Sequence, residues 1–477
     1  MKKIWIIHIL IWGGLLGGTS SCLTHYQLNS QFYKSFENGN FAQAQKSLES
    51  DKKGPTSKSK LIYHLNQGLV HQMLGQYDRS NQFFEQAYIL GEDYQKNYLN
   101  EILAYFVNPL VVDYRGEDFE LLMIHYYKAL NFLSLGDKEK ALVECRRMNI
   151  KLQAMSDKYS SENRYKRDAF IHTLMGLVYD ANKDYNNAFI AYRNAVEIYQ
   201  NDYKKLFNID VPDQLKHDLL RTAYLMGFRE ELQLYEREFG MTYQKDTPNN
   251  GVLVFLWHNG FGPIKTEWSI NFTINRFDSR VVFVNDQFGL NFPFPLEVQK
   301  DKDGKKIDPL GGLSVIRVAF PKYMERPPYF RTAELSAPGI TKTLELAEDL
   351  NAIAQKTLQE RMVLELSKAL LRLAIKKGEE ALLRKEDKEG LASLLSIINA
   401  ATEQADTRAW QAIPHSIYYT RMSLPAGASK VTLHTKAPGG VRDFDFNFNI
   451  EGGETVFHNF HSLEIDPSFR DYSYNHY

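Results

Sequence analysis

The sequence predicts an α+β chain: an N-terminal solenoid of helical hairpins, then a mixed region of strands and long helices, then a small antiparallel β-sandwich. Three observations carry this reading. Apolar and small residues recur at helical spacing to about residue 245, in paired stretches whose turns fall at Gly39, Gly75, Gly136 and Lys183. After Pro248-Asn249-Asn250-Gly251 the period drops to two, as in Trp268, Ile270, Phe272 and Ile274. Near the C-terminus Phe444, Phe446, Phe448 and Ile450 alternate with Asp443, Asp445, Asn447 and Asn449, which gives one core face and one wet face.

The chain has 477 residues, 44% of them hydrophobic and 24% charged, which is ordinary for a globular protein and sufficient for two to four domains. The expected units are a leader over 1–21, helical repeats over 22–245, a β-rich segment over 250–335, a long helical hairpin over 340–402, and a β module over 403–477. A net charge of −1 argues against a nucleic-acid partner, which calls for a basic surplus. Two cysteines, Cys22 and Cys145, are too few for a disulfide framework. Cys145 lies in a helical stretch and reads as a small buried hydrophobe.

Met1-Lys2-Lys3 is a positive start, Ile4 to Leu16 is a short apolar core, and Gly17-Gly18-Thr19-Ser20-Ser21-Cys22 follows. That order makes a secretory leader, and its core is shorter than a transmembrane helix needs. The small residues before Cys22 resemble the lipobox of bacterial lipoproteins, with Thr19 where that family usually has Leu. The resemblance implies cleavage before Cys22 and acylation of it. Each acyl CH₂ contributes about 0.8 kcal/mol of membrane affinity, so several chains anchor stably. Leu23 rather than Asp at the next position resembles lipoproteins sent on to the outer membrane. A periplasm-facing location follows as an expectation.

The repeat stretches pair small residues with aromatics where two helices must touch. Gly68 and Gly75 precede Tyr77, Phe84 and Ala87; Gly176 precedes Tyr185, Ala188, Tyr192 and Ala195. Weaker copies carry Gly39, Phe41, Ala44 and Leu48, and Ala129, Gly136, Ala141 and Cys145. A fifth pair follows Pro212 and ends near Gly240. This pattern resembles the tetratricopeptide repeat, a unit of about 34 residues that buries its apolar face only by stacking on copies of itself. The two later gaps between turns are longer and hold insertions. If the stack follows that family, its concave face comes from the first helix of each pair. Here that implies Ile62, Leu65, Leu69, Met73, Met123, Tyr126, Leu130 and Phe170 as partner-binding residues. Such an apolar row suits an apolar partner helix. The apolar insertion 102–112, broken by Pro109, is the alternative occupant, filling the groove from within.

Val252 to Trp257, Trp268 to Ile274, Val281 to Val284 and Leu313 to Phe320 read as strands. His258 to Lys265 is a Gly-rich turn; Asn259-Gly260 is a hairpin signal, and no helix follows to make a phosphate loop. Leu344 to Lys377 reads as one long helix from Leu346, Leu350, Ile353, Leu358, Met362, Leu366 and Leu370, and a second apolar helix follows Gly390. Glu451-Gly452-Gly453-Glu454 is a turn from which Thr455–Phe460 returns.

A second resemblance rests on Asn259-Gly260-x-x-Pro263-x-Lys265, on Asp406-x-Arg408-x-Trp410-x-x-x-Pro414, and on Leu424-Pro425-Ala426-Gly427. These are similar to motifs of a family of bacterial TPR-containing lipoproteins without established activity, in which a second proline usually stands at Ala426. The family sits near envelope-secretion lipoproteins, which implies assembly work. The matching positions are Asn259, Gly260, Pro263, Lys265, Asp406, Arg408, Trp410, Pro414 and Gly427. Asp406 and Arg408 can pair, and Trp410 can seat against the β layer, as a clasp between domains.

No HExxH, GxSxG, phosphate loop or nucleophile–base set is present, so no catalytic residue, metal ligand or cofactor is expected. His458 and His461, three apart on a strand, fall on opposite faces and make a poor metal pair. The sequence therefore points to a protein that binds a protein partner in the cell envelope. A glycan- or peptide-binding β module is the alternative. An envelope hydrolase is the third reading, and it requires a pocket with clustered, strongly shifted carboxyls.

Overall fold

The computed structural model describes residues 25–96, 112–156, 165, 167–245, 249–277, 280–287, 289–295, 314–362, 366–367, 370 and 405–469. The leader, Cys22, the insertion 102–111 and the expected second helix of the hairpin lie outside the described residues.

Five antiparallel helix pairs form the N-terminal half. They are α1 (Ser30–Glu37) with α2 (Phe41–Ser50), α3 (Lys60–Met73) with α4 (Tyr77–Lys96), and α5 (Asp118–Ser134) with α6 (Lys138–Ser156). Then come α7 (Ala169–Ala181) with α8 (Tyr185–Ile198), and α9 (Asp213–Met226) with α10 (Arg229–Phe239). The turns at Gly39, Gly75, Gly136 and Gly227 all take φ between 71° and 77°, the left-handed conformation that ends a helix at least cost in glycine. Lys183 takes the same conformation at 61° despite its Cβ. The pairs close tightly where the small residues were expected: a Cβ on Gly176 would meet Tyr192 Cε1 at 2.3 Å, and one on Gly68 would meet Phe84 Cε1 at 2.6 Å. These are TPR-like helical hairpins. Cys145 is buried between α5 and α6, where burial pushes its thiol pKa up.

Beyond the repeats, the described residues form three four-stranded sheets. The strands are β1 (Gly251–Asn259), β2 (Ile264–Phe277), β3 (Arg280–Asn285), β4 (Leu290–Pro295), β5 (Val315–Met324), β6 (Thr332–Ala337), β7 (Ile340–Thr343) and β8 (Glu345–Asp349). After a helix, α11 (residues 350–362), come β9 (Ser416–Leu424), β10 (Gly427–Ala437), β11 (Gly440–Ile450) and β12 (Thr455–Ser462). The inner sheet has order β12-β1-β9-β8, the outer sheet β11-β10-β6-β7, and the side sheet β4-β3-β2-β5. The inner sheet is covered on both faces. Leu253, Phe255 and Trp257 pack with Leu335, Val431 and Leu433 of the outer sheet, while Val254, Leu256, Ile417 and Tyr419 pack into the core of the helical repeats. Burial on both sides explains why β1 is continuously apolar rather than alternating.

Four expectations are corrected. The long helix does not start at Leu344: Leu346 pairs with Tyr418 in β8, and α11 begins at Leu350, where Asp349 Oδ1 accepts the Ala352 N–H at 2.8 Å. Sheet pairing overrides the helical preference of Glu345-Leu346-Ala347-Glu348. The Asn259-Gly260 turn is not a hairpin; Gly260, at φ 64°, carries the chain from the inner sheet to the side sheet. Residues 403–477 do not make a self-contained sandwich, because β9 and β12 flank β1 while β10 pairs with β6. Nor does β12 return along β11: it runs parallel to β1 in the other sheet. The alternation within β2 and within β11 is as expected.

Candidate functional site: the occupied groove

The first helices α3, α5 and α7 carry the expected binding row. Ile62, Leu65, Leu69, Met123, Tyr126, Leu130 and Phe170 are buried and Met73 is half-buried. They belong to one core with Trp410, Ala412, Ile413, Ile417, Tyr419, Ala347 and Leu350. The groove of the repeats is thus filled by the inner sheet and by residues 405–415 before it. As sites for an external partner these eight residues are corrected: their apolar surface is spent within the chain. The occupant also differs from the insertion considered above, since described residues of the β half take the place.

Polar groups fasten the two halves at successive repeats. At α1, Glu37 accepts from Arg326 Nη1 at 2.6 Å, and Arg326 Nε donates to the Gly262 carbonyl at 2.7 Å. At α5, Tyr126 shares a 2.7 Å hydrogen bond with His258 Nε2, and burial, then the nearby His461, hold His258 neutral. At the last repeats, Arg421 Nη1 donates to Asp180 and Asp218, both at 2.9 Å, and Arg221 also pairs with Asp180. Glu345 accepts the N–H groups of Asp213 and Gln214 at 2.8 Å each, satisfying the first turn of α9.

The densest of these joints lies at the start of α5. Glu117 is its N-cap, and Glu120 closes a capping box with it. Glu117 accepts from Lys265 Nζ at 2.6 Å and pairs with Arg361. Glu120 accepts the Trp410 N–H at 2.6 Å, the Tyr114 hydroxyl at 2.7 Å and the Glu117 N–H at 3.1 Å. The two carboxyls are driven apart. Burial opposes the Glu117 charge, but Arg361 and then Lys265 outweigh it and hold its pKa at about 2. Burial, then the charge of Glu117, push Glu120 up to about 7.

Most of the family-motif residues converge here and at the neighbouring turn. Arg408 forks onto Asp406 at 2.8 and 2.7 Å and donates to the carbonyls of Lys58 and Val112 at 3.0 Å each. The ring of Trp410 lies 5.9 Å from Phe84 and 5.7 Å from Tyr127, so it seats against the helices, within the core that the repeats share with the inner sheet. Asn259 donates to the Phe330 carbonyl at 2.8 Å and accepts from Ser462 at 3.1 Å. Gly260 receives His461 Nε2 at 2.7 Å on its carbonyl, and a Cβ there would meet Pro328 at 2.9 Å. Pro263 and Pro414 are buried on either side of this turn. Gly427, at φ 110°, stands apart at the β9–β10 connection. The sequence reading missed Glu117, Glu120, Asp180, Asp218 and Glu348. Their signal was present: carboxylates on otherwise core-facing stripes demand a partner.

A second carboxyl pair borders a small cavity among Met123, Tyr126, Tyr165, Phe170, Glu348 and Leu350. Asp168 caps α7 through the Ile171 N–H at 2.8 Å and accepts from Tyr165; Glu348 accepts from Tyr203 at 2.9 Å. Burial raises both, Glu348 well above its ordinary range, with the Asp168 charge adding to it. The lining is mainly apolar and the space admits about one water; the hydrogen bonds of these carboxyls run to Tyr165, Tyr203 and the α7 N-terminus. Among the described residues no three His, Cys, Asp or Glu side chains gather as a metal site, and no helix is long and apolar enough to cross a membrane. His461 is spent on Gly260, and His458 lies against Phe255, Phe446 and Phe448.

Fold and groove together define a repeat protein of the TPR-like type whose concave face is closed on its own β layer. No family model matches the chain, and no curated protein matches it. Solved structures similar over part of the chain include MamA, at 15% identity over 46% of this chain and 95% of that one, with a TM-score of 0.28. BtubC (BKLC) from P. vanneervenii matches at 15% identity over 45% and 80%, with a TM-score of 0.29. A tetratricopeptide repeat protein from Parabacteroides merdae matches at 12% over 45% and 79%, with a TM-score of 0.20. Scores this low carry no weight for function.

Proposed function

We propose that the protein is a membrane-anchored lipoprotein scaffold of the bacterial envelope, tethered through Cys22 to the outer membrane and facing the periplasm. It presents a protein-binding surface to an envelope or secretion assembly. The observation that supports this best is the filled groove. Five helical hairpins and an inner sheet share one core and are bolted together by Glu37–Arg326, Glu117–Lys265 and Asp180–Arg421. Such a body offers rigid outer faces instead of an open trough, which suits a platform. Its buried carboxyls serve the seam between the halves. A hydrolase is therefore the weaker reading, although Asp168 and Glu348 are clustered and shifted as that reading requires.

The test is photocrosslinking in cells from exposed positions on the helices and on the outer sheet, followed by identification of the conjugates. The scaffold reading expects one defined envelope protein from a contiguous set of positions. No such conjugate, together with saturable glycan binding by the purified protein, would replace it with the glycan-binding alternative.

A further inference from the structure

The outer and inner sheets face each other as a sandwich, and their edge strands β11 and β12 lie on the same side. Phe444 and Phe446 of β11 contact Phe460 of β12 at 4.8 and 5.3 Å, while Phe446 and Phe448 flank His458 at 4.9 and 5.2 Å. None of these four rings is fully covered, although Phe255 lies beneath them at zero exposure. This side of the sandwich is thus closed only by partly exposed aromatic rings. Within it the Nε2 atom of His458 is buried without a hydrogen-bond partner. A buried imidazole nitrogen left unmatched is costly, and a hydroxyl on an incoming strand would recover that cost.

Among the described residues no strand lies beyond β11, and this edge is built for pairing. β11 runs eleven residues in unbroken register with β10, with no bulge and no proline. Natural edges are usually shortened, bulged or interrupted to prevent strand addition. β11 instead displays Asp443 and Asp445 on its solvent face. On its paired side β10 answers them with basic and hydroxyl groups: Lys430 Nζ and the Thr432 hydroxyl reach Asp445 at 2.9 and 2.7 Å, and His434 Nδ1 reaches Asp443 at 2.7 Å. Each carboxylate oxygen can accept a second bond, so the free side of β11 asks for the same pattern. A second copy of this chain does not supply it. Antiparallel self-pairing of β11 would set Asp443 and Asp445 against acids and amides, and like charges opposed across strands destabilise.

We propose that β11 is a docking edge for an extended segment of a partner protein, added as a fifth strand to the outer sheet. Its inward-facing residues cover Phe446 and His458, apolar side chains on the rings and a hydroxyl on the His458 Nε2, and its alternate Lys, His or Thr residues meet Asp443 and Asp445. This rests on the scaffold reading and names the surface through which it acts.

The probe is a labelled peptide with the sequence of residues 427–437, which already carries that pattern, titrated onto the purified full chain by fluorescence anisotropy. Saturable binding is expected, together with a shift of the His458 imidazole resonance. A D443K/D445K chain, which also gives up the bonds from Lys430, Thr432 and His434, should bind at least tenfold more weakly while staying folded by circular dichroism, with a lowered melting temperature. An L234K chain, at a position of 50% exposure on α10 and away from β11, should bind as the natural chain does. Absence of saturation at millimolar peptide, equal binding by a scrambled peptide, or binding unmoved by D443K/D445K overturns the inference. So does a dimer by sedimentation that D443K/D445K leaves intact. Should the peptide fail while cell crosslinks from other faces still recover an envelope protein, the edge is lost and the scaffold survives. Should the peptide bind while no envelope partner is captured, the scaffold reading falls.

Discussion

Replacing Glu120 by Gln probes the joint between repeats and β layer through its proton. In the fold, burial and then the Glu117 charge lift the Glu120 pKa from an ordinary 4.5 to about 7. The folded state therefore binds the proton more tightly than the unfolded chain does. That contribution is fully present below pH 4.5 and is lost as pH rises through about 7. At 1.36 kcal/mol per pKa unit the gap is worth about 3 kcal/mol. Gln cannot titrate, so its stability escapes this loss. It pays elsewhere: an amide can keep the Trp410 N–H on its oxygen and turn its nitrogen to the Tyr114 hydroxyl, but it then gives up the bond from Glu117 N–H, at about 1–3 kcal/mol at every pH. Urea denaturation of both proteins from pH 4.5 to 8.5, followed by tryptophan fluorescence, reads the difference. The natural chain should lead by about 1–3 kcal/mol at the acid end, and that lead should shrink by about 3 kcal/mol and vanish or reverse by pH 8. Groups common to both proteins cancel to first order. A difference constant to within about 0.5 kcal/mol across the range would refute the assignment of the buried proton to Glu120.

Three further outcomes are expected. Lys183→Gly removes the Cβ from a left-handed turn at φ 61° and should raise stability by about 1 kcal/mol in thermal melts, where the same change in a helix interior would lower it. Arg421→Met leaves Asp180 and Asp218 facing each other with Arg221 as the remaining cation of the group, and should cost about 3–5 kcal/mol by urea denaturation. Cys22→Ser should abolish metabolic labelling with a fatty acid; unchanged labelling would remove the anchor from the proposed function.

The helical half was legible because its determinants are local. Gly176 and Tyr192 must touch for α7 and α8 to close, and they sit within one repeat, as do Gly68 and Phe84. The β half was legible strand by strand but not in its pairing. Nothing in the alternation of Phe444, Phe446 and Phe448 says that the next strand will leave for the other sheet and run parallel to β1. Glu345-Leu346-Ala347-Glu348 reads as helix on propensity and becomes strand because Tyr418 and Tyr419 supply a ladder from distant sequence. At the groove, the apolar row from Ile62 to Phe170 correctly demanded a cover, and its composition did not identify which one. Trp410 illustrates the limit: the motif around it marked a clasp, and nothing local to it named Phe84 and Tyr127 as the rings it meets.

The strand order has a bearing on how the molecule is made. β1 is flanked by β9 on one side and β12 on the other, and both emerge from the ribosome long after it. Through that interval the repeats are complete while their inner lining is bare and β1 has no neighbour, a state with exposed greasy surface and unpaired backbone. Pairings between segments so remote in sequence form slowly. A nascent chain of this design invites holdase assistance, and a product truncated ahead of Thr455 would emerge with β1 open on one side, the kind of defect that quality-control proteases recognise.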